Sequence, residues 1–302
     1  MIHKDHIVIS IENLRMHISN LEGVRHWRDT PDKLGKAGDY IQDMLVGYGH
    51  TVSRHTFQED GREYHNILGL QNGTRQPKKM IMIMAHYDTV ADSPGANDNA
   101  SGVAGMLELA RVLGKYLFRK SILYVGINLE EGKERGVKGT PTKRGSTALA
   151  AHAHQEDWQL EGVINLEEIA YAGDDIPQKK VSRMPVKVSE IGNFVSVVGN
   201  EISADMVQGY ITVVDQFCIP LPCLSMVVPG NGETLPDTRR SDHAPFWDQG
   251  FPAIVLTDTA NFRYPHYHQA SDTLDKLNLK FTSLVCQAAG ELTSQMAEIE
   301  KP

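Results

Sequence analysis

Four short segments of this chain carry histidines and carboxylates just beyond apolar runs. They are His86-Tyr-Asp88, Glu130-Glu131, Glu167-Glu168 and His268. A fifth segment, Gly95-Ala-Asn-Asp-Asn-Ala-Ser-Gly102, bends tightly before a helical pattern. Each has a bland reading on its own. A histidine at a strand end is ordinarily a hydrogen-bonded structural residue, adjacent glutamates ordinarily face solvent, and Asp98 ahead of a helix is most simply its cap. Glu130 and Glu131 resist that reading because they directly continue an apolar strand. Two histidines, an aspartate and paired carboxylates supply nitrogen and oxygen ligands suited to zinc. A carboxylate left outside the ligand set can shuttle a proton. Asp88 can accept the second ring N–H of a ligating His86 and fix its tautomer. Together these residue types point to a metal-dependent hydrolase.

The elements that must position them follow from periodicity. Residues 7 to 24 read as an amphipathic helix, and Thr30-Pro31-Asp32 as the start of a second, with Thr30 its cap and its end near Gly47. Thr51 to Gln58 and Tyr64 to Leu70 read as two strands around a polar turn. Met80 to Ala85 is an unbroken apolar run, as expected of a parallel strand buried on both faces. Further strands are expected at Ser121 to Leu129, Gly162 to Ile169, Phe194 to Val198, Cys223 to Val228 and Pro252 to Thr257. Helices are expected at Ser101 to Leu117, Thr147 to His154, Asp242 to Gln249 and Leu279 to Ala297. Ala204 to Val214 reads as a helix, or as a helix with the start of a strand. This alternation predicts a three-layer α/β/α fold with a largely parallel mixed sheet and the early strands as an antiparallel edge hairpin. In such sheets the ligand crevice lies outside the carboxyl ends of the strands, which is where the polar segments fall. With no Pro-, Gly- and Ser-rich break, residues 1–302 read as one catalytic domain.

Composition narrows the class. Of 302 residues, 41% are apolar and 23% charged, an ordinary globular balance. A net charge of -8 without a basic run argues against nucleic acid or anionic lipid as a partner. No window is long and apolar enough for a membrane span. The charged N-terminus does not read as a signal peptide, so a cytoplasmic protein is expected, or a secreted or periplasmic one whose leader has been removed. Cys218, Cys223 and Cys286 form no disulfide scaffold. Three free thiols are the simpler expectation, although Cys218 and Cys223 are close enough in sequence to pair.

At this point the chain resembles a known family. H86YD88, GANDNASG at 95 to 102, NLEEG at 128 to 132, SDH at 241 to 243 and YHQASDT at 267 to 273 resemble the co-catalytic zinc aminopeptidases. That family also holds glutaminyl cyclases and the protease-like domains of glutamate carboxypeptidase and the transferrin receptor. The resemblance runs from about residue 63 to the C-terminus, with five segments in order. It implies two zinc ions. His86 and Glu167 would hold the first, Glu131 and His268 the second, and Asp98 would bridge them. Glu130 would be the general base, and Tyr267, or Tyr264, would donate to the oxyanion. The chain departs from the family where Asn-Leu-Asp-Met-Ile becomes Asn165-Leu-Glu-Glu-Ile169. The extra methylene moves the ligating oxygens outward by about 1 Å, and Glu168 is expected to face the opposite side by strand alternation. Lys133-Glu-Arg-Gly136 also departs, with charge where an apolar turn is usual.

The implied reaction is hydrolysis of the N-terminal peptide bond of a substrate with a free α-amine. A single-zinc glutaminyl cyclase shares the fold and is the alternative. A carboxypeptidase or dipeptidase would need a cation for the substrate carboxylate, and Arg239 or Arg240 offers one. A binding protein with a dead site is the rival from another class. It would have to keep every competent residue type to no purpose. Residues 171 to 190 and 229 to 240, polar and rich in turn formers, are expected to wall the crevice.

Overall fold

The apolar run is buried on both faces from Ile81 to Ala85, and the rest of the fold is laid around it. The computed structural model of the chain describes residues 7–132, 143–181 and 186–300. Its strands are β1 (Thr51–Glu59), β2 (Arg62–Gln71), β3 (Gln76–His86), β4 (Lys120–Ile127), β5 (Gln159–Glu167), β6 (Val195–Asn200), β7 (Cys223–Val228) and β8 (Ala253–Thr257). All belong to one sheet of order β1-β2-β4-β3-β5-β8-β6-β7. Strands β4, β3, β5 and β8 run parallel to their neighbours in that row, as do β6 and β7 to each other. β6 is antiparallel to β8, and the β1–β2 hairpin forms the expected antiparallel edge against β4.

Side chains alternate across a strand. On β3, Ile81, Ile83 and Ala85 enter one apolar core while Met82 and Met84 enter the other. The first core is covered by α1 (Ile11–Leu21), α2 (Pro31–Gly47), α3 (Gly102–Leu113), α5 (Ala204–Gln216) and α7 (Leu279–Met296). The second is covered by α4 (Arg144–Gln155) and α6 (His243–Asp248). Each large aliphatic side chain so buried contributes about 1.5–3 kcal/mol. The result is the three-layer α/β/α arrangement, with no helix among the described residues long and apolar enough to cross a membrane.

Several local expectations change, the first helix among them, which spans Ile11–Leu21 within the expected residues 7 to 24. Thr30 precedes α2 and Pro31 opens it, but the Thr30 hydroxyl does not cap the helix. It accepts from the His26 amide at 2.8 Å and donates to the Val24 carbonyl at 2.9 Å, closing the preceding turn instead. Of the two readings of residues 204 to 214, the helix holds, since α5 runs Ala204–Gln216 without a strand. α3 stops at Leu113 rather than Leu117, with Gly114 next. All three cysteines are free thiols. The departure at residues 133 to 136 lies outside the described residues.

Two glycines bracket the loop before α3. Gly95 takes a left-handed φ of 63°, and a Cβ there would meet the Asp98 carbonyl at 2.4 Å. A Cβ on Gly102 would meet the Leu166 carbonyl at 2.4 Å and Asn99 Oδ1 at 2.5 Å, so the loop lies directly on β5. Overpacking of this kind costs roughly 1–3 kcal/mol. Gly102→Ala is therefore expected to lower the urea midpoint by that equivalent with an unchanged m-value, whereas an unshifted midpoint would show that the loop is not held against β5.

Candidate metal centre

Chain connectivity places a crevice at the end of β3. The connection from β3 runs through α3 on one face to β4, and the next runs through α4 on the other face to β5. β4 and β5 flank β3 on opposite sides. Such a switch in direction opens a cleft at the carboxyl ends. His86 is the last residue of β3, and Glu167 the last of β5. Asp98 comes from the loop before α3, and His268 from the segment after β8 with φ 58°. β4 ends at Ile127, and Leu129 turns the chain with φ 57°. Glu130 and Glu131 therefore leave the strand instead of continuing it.

Asp98 lies between the two histidines. Its Oδ1 is 3.3 Å from His86 Nε2, and its Oδ2 is 3.1 Å from His268 Nε2. His86 Nε2 is also 3.3 Å from Glu167 Oε1, and His268 Nε2 is 3.3 Å from Glu131 Oε1. Two candidate metal-binding triads result, His86–Asp98–Glu167 and Asp98–Glu131–His268, each with ligand atoms within 4.8 Å of one another. They share Asp98. His268 Nε2 is buried and makes no hydrogen bond of good geometry, although two carboxylates surround it. In the first triad His86 Nε2 is within hydrogen-bond distance of Glu167 Oε1, but at His268 the convergence of an unbonded ring nitrogen on carboxylates fits a shared cation. Glu130 is buried beside both groups and belongs to neither.

A second layer of carboxylates fixes these groups through backbone amides. Asp88 Oδ1 accepts from Glu130 N at 3.0 Å, and Oδ2 from Glu131 N at 3.1 Å. The expected bond from His86 is not made: Asp88 Oδ1 lies 3.4 Å from Nδ1, which is buried without a hydrogen-bond partner. Asp272 does the same for the bridging loop, accepting from Asn97 N at 2.8 Å and Asp98 N at 3.2 Å. Ser241 donates to Glu167 Oε2 at 2.6 Å and accepts from Asn165 Nδ2 at 2.7 Å. This bond seats the longer glutamate side chain. Arg25 is fully buried, and its guanidinium donates to the carbonyls of Leu21, Gly23, Tyr87, Pro94 and Gly95, tying the loop to the end of β3.

The chain matches the description Peptidase family M28 over residues 66–218 and 224–293. The chain belongs to peptidase family M28. All five triad residues, Glu130 and Tyr267 fall inside the M28 match. The chain is 31% identical over 283 residues to the protein YfbL of Escherichia coli strain K12, covering 89% of this chain and 83% of that one. It is 28% identical over 302 residues to a protein of Pyrenophora teres f. teres named "Probable zinc metalloprotease", covering 86% of this chain and 59% of that one. It therefore spans little more than half of that relative. It shares the fold of a leucine aminopeptidase precursor from Bacteroides thetaiotaomicron with a TM-score of 0.72 at 18% identity, covering 96% of this chain and 98% of that one.

The tyrosines separate clearly in this M28 chain. Tyr264 is buried and donates to Asp272 Oδ1 at 2.8 Å, so its hydroxyl is committed to the scaffold. Tyr267 lines the cavity, stacks on His268 at 3.8 Å and accepts from Arg240 Nη2 at 3.2 Å. Arg239 turns away to Asp248 and the Asn231 carbonyl, whereas Arg240 lines the cavity. Val181, Asp237 and Thr238 join it as wall residues from the expected loops, and residues 182–185 lie outside the described residues. Glu168 does not face away. β5 ends at Glu167, Glu168 takes φ 46°, and its side chain is buried along the same cavity, with Asn97 Nδ2 3.3 Å away. Strand alternation fails there because the strand has stopped. Glu168, Ser241 and Asp272 stand in segments the sequence singles out, but their roles, like that of Arg25, run through partners far along the chain and are not readable from one sequence.

So many buried acids perturb one another. Burial, reinforced by Glu131, Glu167 and Asp242, holds the Glu130 carboxyl well above its usual range. Burial likewise raises Glu168, and raises Asp242 and Asp258 to about 7 and Asp272 to about 6. At His268 burial opposes charge, but Glu131 and Asp98 prevail and raise the imidazole to about 10. Every one of these groups binds its proton more tightly folded than unfolded. Their stabilising contribution is complete below the unfolded values and is lost as pH rises through the folded ones. Above about pH 7 metal-free protein should therefore lose stability as pH rises toward 10, and saturating zinc should flatten the loss; at lower pH the buried His17, His55 and His243, lowered to about 4, 4 and 3, act in the opposite sense. Urea unfolding of chelator-treated protein across that range checks this, and rising stability with pH would contradict it.

Proposed function

We propose that this protein is a zinc-dependent aminopeptidase that releases N-terminal residues from peptides through a two-ion centre. One observation carries the reading. Two triads share Asp98, and an acid that belongs to neither, Glu130, lies beside them on the cavity wall. His86, Asp98 and Glu167 would hold one ion, and Asp98, Glu131 and His268 the other. Bound zinc supplies Lewis-acid polarisation of the scissile carbonyl and activation of water. Glu130 accepts a proton from the attacking water and delivers it to the leaving amine. Its raised proton affinity suits a group that must both take and give a proton, and nearby cations would draw that affinity back toward neutrality. Tyr267 accepts from Arg240, which leaves its own O–H for the developing oxyanion. The carboxylates that crowd this end of the cavity attract a free α-amine, which restricts cleavage to the first residue. A complete second triad favours this reading over single-ion cyclisation.

A panel of aminoacyl, N-blocked and N-terminal glutaminyl substrates, assayed with and without zinc, tests the reading. Release of the first residue from free-amine substrates only is expected, whereas cyclisation of glutaminyl substrates without hydrolysis would replace it. The division of labour between the paired glutamates has its own test. Glu130→Gln should keep both metals and the fold while turnover falls roughly 10²-fold or more. Glu131→Gln should lose metal occupancy and recover part of its activity in excess zinc. Metal stoichiometry measured beside turnover separates the two, and the opposite pattern would reverse their roles.

A further inference from the structure

The cavity beside the metal centre extends past it along the sheet. Its wall is the antiparallel pair β6–β8, whose register sets Ser196 against Thr257 and Val198 against Val255. Thr257 pairs with Glu167 and so lies level with the metal centre, and the valine pair lies one step deeper, at the level of Asn165. Two residues along a strand span roughly 7 Å. Phe262 adds a second apolar surface. A side chain reaching down from the scissile bond would therefore meet Val198, Val255 and Phe262 as apolar surface, with Ser196 and Thr257 as uncharged polar neighbours.

One lining group does not suit an apolar occupant. His243 opens α6, lines the cavity and is 1% exposed. Its Nε2 lies 2.8 Å from the Thr238 carbonyl, so that nitrogen carries the proton. Nδ1 is then an acceptor, and it is buried without a hydrogen-bond partner. The ring stands edge-on to Trp247 at 4.5 Å and 81°, which fixes its orientation. Burial, with Lys143 and Arg239 nearby, lowers its pKa to about 3, so it remains neutral. Asn165, bonded through Nδ2 to the cavity-lining Ser241, leaves its Oδ1 unpartnered as well. Orphaned acceptors in a desolvated region are costly unless a donor arrives.

We propose that His243 reads the side chain of the substrate's first residue, its Nδ1 accepting a hydrogen bond from an uncharged N–H or O–H donor at the end of an apolar stem. This rests on the aminopeptidase reading above, and it selects among substrates of that reaction. An ammonium group would have to shed its hydration against a neutral acceptor and apolar walls, and a carboxylate would oppose the acceptor directly. An amide or hydroxyl avoids both costs. A site built around such a bond also penalises the shape-matched apolar residue, which leaves the acceptor unpaired.

The test uses shape-matched pairs of aminoacyl substrates, asparaginyl with leucyl and tyrosyl with phenylalanyl, on the zinc-loaded full chain. Aspartyl serves as the anionic match to asparaginyl. The donor-ended member of at least one pair should have the higher kcat/KM, and aspartyl should fall below asparaginyl. In His243→Phe, which keeps a ring against Trp247, that preference should fall about tenfold. A ratio near one in both pairs of the wild type would overturn the proposal even if the variant fails to fold. A preference unchanged in a folded His243→Phe would overturn it too. If no aminoacyl substrate is hydrolysed, the aminopeptidase reading fails. Calorimetric binding of the matched free amino acids then still reads the pocket, with equal affinities within both pairs counting against His243.

Discussion

The placement of Asp98 between His86 and His268 is the constraint on which the rest of the molecule depends. A single carboxylate offers one oxygen to each imidazole, at 3.3 and 3.1 Å. That arrangement demands a loop held to within a few tenths of an ångström on every side. Gly95 and Gly102 let the loop lie against the sheet, Arg25 ties its carbonyls to the end of β3, and Asp272 holds the amides of Asn97 and Asp98. The far end of the chain thus fixes the bridge formed near its beginning. Asp88 repeats the device for Glu130 and Glu131, so both halves of the centre are positioned by carboxylate-to-amide bonds rather than by packing alone.

This arrangement gathers negative charge where water is excluded, and charge in such places is expensive. Without cations the protein meets the cost by holding protons on Glu130, Glu168, Asp242 and both histidines. The buried cation Arg25 spends its donors on carbonyls and leaves the acids to one another. A centre that binds protons this strongly is poised to exchange them for metal, because metal ligands must be deprotonated. The stability of the empty fold and the affinity of the site are therefore two sides of one electrostatic problem. The same burial that strains the metal-free protein makes a bound cation effective toward substrate.

Much of this was legible in the sequence because it is local. The unbroken run from Met80 to Ala85 and the alternation of strands with helices specify the layers, and strand-end position gathers the acidic and histidine segments at one rim, whereas the division of those residues into two triads was implied only by the family resemblance of the five ordered segments. What the sequence did not reveal depends on distant partners. Ser241 seating Glu167, Asp272 clamping the Asp98 loop and Tyr264 being committed to Asp272 all join residues that only the fold brings together. Glu168 was misplaced for a different reason. Alternation is reliable within a strand, and β5 stops one residue before it. Thr30 shows the same limit at a helix start, where a hydroxyl chose the preceding turn over the helix it was expected to cap.

The shared bridge is tested most directly by anomalous diffraction at the zinc edge from crystals of zinc-loaded protein. The account predicts two peaks flanking Asp98, roughly 3.5–4 Å apart. One should contact His86 and Glu167, and the other Glu131 and His268. A single peak, or two peaks with Asp98 bound to only one of them, would contradict it.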